Sequence, residues 1–315
     1  MSLPIFETEW EGTWSWGDQK VSYIHAPAIE PGHTSAAILI HGFGACKEHW
    51  RHNVEALRKK GDVYAIDLLG FGRSSKPPSR LIDEPKQEGT TFYSIDLWAE
   101  QVEAFIAAIV GKPVTLIGNS IGGVVALATA ARLEAQAKNP AERVVLVDCA
   151  QRAIDEKRLA EQPPLRRLGR PLLKTLVKQR WLTTPLFQSL IKPGIIRRVL
   201  KSAYPSGANI DDQLVELLLK PALEPGASES FRGFINLFDD RIAPDLLKSL
   251  ITPVEMIWGK KDPWEPIEEA RRWCTFDCVE RLDELEGLGH CPHDEAPELV
   301  NPLLIGALSR SNNQI

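Results

Sequence analysis

No stretch of about 18 uncharged apolar residues occurs in the chain, so no membrane-spanning helix is expected. The first residues, Met1 to Trp16, lack a basic head and a long apolar run, and a signal peptide is not expected either. Cysteine is scarce and odd in number: Cys46, Cys149, Cys274, Cys278 and Cys291 contain no CxxC pair. That excludes a disulfide scaffold and fits a reducing compartment. Cys274 and Cys278, four apart, read as buried thiols rather than as a metal pair. There is no HExxH, GxGxxG or GxxxxGKS/T, so no metal is expected, no dinucleotide or nucleotide-phosphate loop is present, and no cofactor is called for. A net charge of -5 leaves no basic bias toward nucleic acid.

What is present is ample apolar content. With 43% hydrophobic and 25% charged residues, the 315-residue chain can bury a large core and is not disordered. Its length fits one α/β domain with an insertion. Ala36 to Ile40, Asp62 to Ile66, Pro113 to Ile117, Arg143 to Val147 and Pro253 to Trp258 are short apolar runs rich in Val and Ile. Such runs mark strands buried on both faces of a parallel sheet. Trp98, Val102, Phe105, Ile106 and Ile109 recur at helical spacing, closed by Gly111 and Pro113. Ile121 to Ala137 is small and apolar enough for a helix packed tightly on the sheet. Trp14 to Trp16 and Val21 to His25 read as an antiparallel pair around Gly17-Asp18. The alternation of strand and helix predicts an α/β fold with a mostly parallel central sheet and helices on both faces. After Asp148 it stops, and helical patterns punctuated by proline follow until Pro253. The expected organisation is a core of residues 1–150 and 241–315, with a helical cap, or lid, inserted at 151–240.

Gly118-Asn119-Ser120-Ile121-Gly122 fits G-x-S-x-G between a predicted strand and a predicted helix, the context in which that pattern makes a nucleophile elbow. The turn would expose the Ser120 hydroxyl at the carboxyl end of the sheet. The amide of Ile121 would face the developing oxyanion, and that of Phe43, in His41-Gly42-Phe43-Gly44, would be the second donor. Of seven histidines, His290 lies in a glycine-rich loop after the last strand, where the base falls in the chain order Ser, Asp, His. His293 is its near competitor. Asp262 follows a strand and would hold the imidazole in the correct tautomer; Asp148, one strand earlier, is its rival. His41 reads as a loop-shaping residue and the glycines of Asp67 to Ser74 as a tight turn. These residues give an α/β-hydrolase with a Ser-His-Asp triad, a fold that serves many chemistries.

The block Gly289-His290-Cys291-Pro292-His293-Asp294-Glu295 resembles the GHCPHDE signature of the pheophytinase and chlorophyll dephytylase branch of the α/β-hydrolases. The stretches His41 to Ala45 with His49-Trp50-Arg51, Asp67 to Ser74, Gly118 to Gly123 and Trp258 to Trp264 are similar too. The resemblance covers Trp14 to Pro302 and is weakest in the cap. It implies a serine esterase that cleaves the phytyl ester of chlorophyll or pheophytin, with Ser120, Asp262 and His290 as triad. Smaller lipophilic esters or carbon-carbon bonds are the alternative substrates. The plant relatives begin with a plastid transit peptide and this chain does not, so the implied location is cytoplasmic, on cyanobacterial membranes, or plastid after trimming.

The cap supplies apolar candidates for a hydrocarbon site, among them Leu172, Leu176, Trp181 and Phe187, and Trp50 and Trp264 are candidate wall residues. From Gln151 to Lys201 thirteen Lys or Arg face three Asp or Glu, a net of +10. Arg166, Arg170, Lys174 and Lys178 recur every four residues, a basic stripe suited to peripheral contact with an anionic thylakoid membrane.

Overall fold

The computed structural model describes residues 5–136, 139–153, 155–161 and 164–311. The strands are β1 (Glu11–Trp16), β2 (Gln19–Ala26), β3 (Ala36–Ile40), β4 (Asp62–Ile66), β5 (Val114–Asn119), β6 (Ala141–Val147), β7 (Val254–Gly259) and β8 (Val279–Leu285). They form one eight-stranded sheet in the order β1-β2-β4-β3-β5-β6-β7-β8. The β1–β2 hairpin joins β4 in antiparallel fashion, and β3 to β8 run parallel.

Side chains along a strand point alternately to opposite faces, and here both faces are covered. Ile38 and Ile40 of β3 enter one core with Leu116, Val144, Leu146 and Trp258. Ala37 and Leu39 enter the other, with Ile117, Val145, Val147 and Ile257. The helices that cover the sheet include α1 (Val54–Leu57), α2 (Ile95–Phe105) and α3 (Ile121–Glu134). Trp98, Val102 and Phe105 are the buried stripe of α2, which widens into a π-turn over Ile106–Val110 and stops at Gly111 in the left-handed conformation. In α3, eleven residues from Ile121 to Leu133 are buried, so the helix is enclosed on nearly every side.

Between β6 and β7 lie α4 (Pro164–Val177), α5 (Arg180–Leu190), α6 (Pro193–Ala203), α7 (Asp212–Ala222), α8 (Ala227–Ile235) and α9 (Ala243–Leu247). α10 (Ile267–Trp273), α11 (Pro292–Glu295) and α12 (Pro297–Ser311) complete the chain. A third apolar cluster, with Cys46, Leu200, Tyr204, Leu214 and Cys291, seats α6 and α7 on the sheet's loops.

The expectation for two of the cysteines is corrected. Cys278 is buried but Cys274 is exposed, because α10 ends at Trp273 and the two thiols do not share a helix. Three members of the basic stripe are engaged by the protein itself. Arg170 is buried beside Glu156 with its guanidinium over the Phe238 ring, Lys174 pairs with Glu156, and Lys178 bonds Asp83 at 2.6 Å. The Arg166 side chain lies outside the described residues. No helix among the described residues is long and apolar enough to cross a membrane.

Candidate active site

Ser120 sits between β5 and α3 at φ 55 and ψ -123, a conformation that costs an L-residue strain and that the surroundings must enforce. Its amide bonds Val147 O at 3.0 Å, and its carbonyl accepts from the amides of Gly123 and Ala150, each at 3.0 Å. The flanking glycines make the turn possible. A Cβ on Gly118 would lie 2.2 Å from Gly122 O, and one on Gly122 would lie 2.4 Å from Ile40 O. The strand, turn and helix can close this tightly only without side chains at those two positions.

The loop after β3 comes against this turn: a Cβ on Gly42 would stand 3.1 Å from the Cβ of Ser120. His41 shapes that loop. It is fully buried, its Nδ1 lies 2.7 Å from Gly42 O, and its Nε2 accepts from the Leu68 amide at 3.1 Å. Burial lowers its pKa, so it is neutral at pH 7. The loop is tied down further by Asp67, whose Oδ1 accepts from the Lys47 amide at 2.7 Å and whose Oδ2 accepts from the Arg73 amide at 2.9 Å. Burial opposes the charge on Asp67, yet Lys47 and these amides hold its carboxyl below the usual range. Ile121 opens α3, and amides in the first turn of a helix have no carbonyl partner within it. Phe43 and Ile121 therefore stand on the two segments that flank Ser120.

Across the sheet's carboxyl edge, His290 Nδ1 lies 2.7 Å from Asp262 Oδ2. The other oxygen, Oδ1, accepts from the amides of Trp264 at 2.8 Å and Glu265 at 3.1 Å. The Asp262 side chain is wholly buried and that of His290 nearly so. The His290 carbonyl accepts from Asn119 Nδ2 at 3.0 Å, which links the histidine loop to the residue before Ser120. Sequence reasoning missed Asn119, since nothing but its place in the elbow marks it.

Asp148, the rival acid, sits behind this pair. It is fully buried at φ 42, and its Oδ1 accepts from the Gly259 amide at 2.9 Å. Its Oδ2 has no donor, and its carboxyl contacts that of Asp262. Burial and the Asp262 charge push its pKa well above the ordinary carboxylate value. Asp148 is thus the member of the carboxyl pair in which burial and the neighbouring charge favour the protonated form. Desolvation of its half-buried carboxyl pushes Glu265 up to about 8.

His293, the competing histidine, is fully buried 4.3 Å from the Trp50 ring and 4.8 Å from that of His49. Burial holds it neutral. Trp50 is equally buried in this packing. Trp264 is 44% exposed and meets the His290 ring edge-on at 4.8 Å. An apolar cleft of ≈ 340 Å³, open mouth included, lies beside the Phe43 loop and is lined by Phe43, Phe71, Phe187, Ala222 and Phe231. Phe43 stacks on Phe234 at 3.8 Å, and Phe187 meets Phe231 at 5.1 Å. Of the insertion candidates, Phe187 reaches this cleft, while Leu172, Leu176 and Trp181 are exposed and do not line it.

The block Gly289 to Glu295 has its own structural task. Glu295 Oε2 accepts from the Gly289 amide at 2.8 Å, and Oε1 accepts from the Ser206 amide at 2.8 Å and its hydroxyl at 2.5 Å. Asp294 accepts from Arg51 Nε at 2.8 Å and the Tyr204 hydroxyl at 3.0 Å. His290 itself donates its amide to Ala203 O at 2.9 Å. The residues around the histidine therefore clamp the end of α6 to the sheet, and His293, Asp294 and Glu295 do not line the cleft. Among the described residues no group of His, Cys, Asp and Glu is placed to hold a metal ion.

Comparison with known proteins agrees with this architecture. The model of the alpha/beta hydrolase family matches residues 37–303. Pheophytinase, chloroplastic, of Arabidopsis thaliana is 26% identical over 296 residues, with 86% of this chain and 60% of that protein covered. The chain thus spans less than two thirds of that relative's length. An uncharacterized hydrolase of Bacillus subtilis (strain 168), YugF, is 26% identical over 84% of this chain and 86% of its own. Among solved structures, an epoxide hydrolase, CorEH, superposes with a TM-score of 0.75 at 20% identity, covering 95% of this chain and 98% of its own.

Proposed function

The chain belongs to the alpha/beta hydrolase family, and from that premise we propose that it is a serine esterase that hydrolyses the phytyl ester of chlorophyll or pheophytin. The esterase part is carried by one observation: the buried Asp262–His290 bond, tied through Asn119 to a strained serine turn. In this reading residues 1–150 and 241–315 are the catalytic core and 151–240 the cap.

His290 takes the proton of the Ser120 hydroxyl as its oxygen attacks the ester carbonyl. Asp262 fixes the ring with Nδ1 protonated and stabilises the imidazolium that forms. The amides of Phe43 and Ile121 hold the oxyanion. The C–O bond to the alcohol breaks, and His290 gives its proton to the departing alkoxide. Water, deprotonated by His290, then attacks the acyl-enzyme and frees the acid and Ser120.

Two supports favour a phytyl substrate: the likeness to a pheophytinase and the aromatic cleft beside Phe43, which suits a hydrocarbon alcohol. The size of the cleft favours the second reading, a hydrolase of smaller lipophilic esters. Only ≈ 40 Å³ of it admits a water-sized sphere, far below the roughly 300–1,000 Å³ of ligand pockets, so a tetrapyrrole ring would remain outside it. Product chromatography separates the two. The protein and its Ser120→Ala variant are incubated with chlorophyll a, pheophytin a and a short nitrophenyl ester in mild detergent. Free phytol with chlorophyllide or pheophorbide, absent with the variant, supports dephytylation. Cleavage of the short ester alone leaves the triad and removes the pigment.

A further inference from the structure

The helices α4, α5 and α6 leave an unusual surface. Leu172, Leu173, Trp181, Leu190 and Val199 are between 41% and 71% exposed on three successive helices. Large apolar side chains at such exposure mark an interaction surface when they cluster on one unit. The charge of the same segment is one-sided: residues 164–203 contain ten Lys or Arg and no Asp or Glu. Of the eight cations whose side chains are described, Arg170, Lys174, Lys178, Arg180 and Arg197 pair with acids of other elements. Lys192, Arg198 and Lys201 are exposed and form no ion pair among the described residues.

We propose that this face docks on an anionic lipid bilayer, with Trp181 and the exposed leucines among the acyl chains and Lys192, Arg198 and Lys201 on the headgroups. The combination is that of an interfacial helix, apolar side chains flanked by cations on helices that carry no acid of their own. It differs from the stripe read in the sequence, whose described members Arg170, Lys174 and Lys178 are held by protein acids. A second copy of the chain fits the face less well, because it would bring two sets of free cations together. The docking also places α5 at the bilayer, and α5 carries Phe187 of the cleft. Entry of an ester from the lipid into that cleft rests on the esterase reading; the docking does not.

Flotation with phosphatidylcholine vesicles, with and without phosphatidylglycerol, tests it. The protein should float with the anionic vesicles and dissociate in about 1 M salt, where screening shortens to about 3 Å. Each cation is worth about five-fold in partitioning, so Lys192→Gln/Arg198→Gln/Lys201→Gln should bind on the order of 100-fold more weakly. Trp181→Ala and Leu173→Ser should weaken binding at equal charge. Absence of flotation, or equal flotation of the triple variant, overturns the proposal. So does concentration-dependent dimerisation on gel filtration that Trp181→Ala abolishes, which would assign the face to a second copy. Hydrolysis of a water-soluble nitrophenyl ester should be unchanged in the triple variant. If the parent floats but leaves that ester uncleaved, the esterase reading fails and the docking stands.

Discussion

Replacing Asp148 by asparagine tests the electrostatics behind His290. Burial and the charge of Asp262 raise the Asp148 pKa well above its ordinary value. Folding therefore draws a proton onto it at every pH between its unfolded and folded values. A carboxyl raised in this way leaves the fold most stable below its unfolded pKa, and stability falls as pH rises toward the folded value. The slope is about 1.4 kcal/mol per pH unit. In Asp148→Asn the amide oxygen still accepts from Gly259, the amide NH₂ donates toward Asp262, and no proton is drawn. The variant should gain on the parent progressively as pH is raised across the interval from about 5 to 7. Urea denaturation at pH values across that interval reads the difference between two proteins that both keep Glu265, pushed up to about 8. The acid limb of the pH–rate profile should stay in place, because no charge has been removed. A pH-independent stability difference would refute the reasoning, as would an acid limb that falls by about a unit, the sign of a lost anion beside His290. Asp148→Ala leaves the Gly259 amide without its acceptor and should lose about 1–3 kcal/mol at acid pH, the loss shrinking as pH rises because no proton is drawn there either.

Ser120→Ala should abolish labelling by a fluorophosphonate and hydrolysis of every ester, and Asp262→Asn should lower kcat about 10⁴-fold with substrate binding retained. Activity surviving in Asp262→Asn would transfer the role to Asp148. Glu295→Ala, which frees the Gly289 and Ser206 amides, should cost about 1–3 kcal/mol on thermal unfolding and lower kcat more than it raises KM. Phe187→Trp narrows the cleft and should lower kcat/KM for long-chain alcohol esters about ten-fold relative to nitrophenyl acetate; equal effects on both would move the alcohol out of the cleft.

The central strands were legible because burial on both faces leaves a continuous apolar run. Ala36–Ile40 and Asp62–Ile66 are β3 and β4 residue for residue. β8 gave no such signal: at the sheet edge its sequence, Val279 to Leu285, carries four charged residues and none of its residues is buried. The serine turn and the two partners His290 and Asp262 follow from chain order and strand ends, and the structure brings His290 and Asp262 to 2.7 Å. The acid pair of Asp148 and Asp262 was legible only as rivalry, since contact between residues on adjacent strand ends depends on packing. The ion pairs of the basic stripe were hidden for the same reason: Glu156 and Asp83 lie outside the helix whose periodicity predicts the stripe.

The clamp between α6 and the histidine loop sets a boundary for recombination. Gly289 admits no side chain, since its Cβ would stand 2.2 Å from Ala203 O, and the His290 amide bonds that same carbonyl. Insertions exchanged among relatives to alter substrate range must therefore carry residues 203–211 together with 289–295 as one inherited unit. A chimaera spliced between them would separate the histidine from the backbone that aims it.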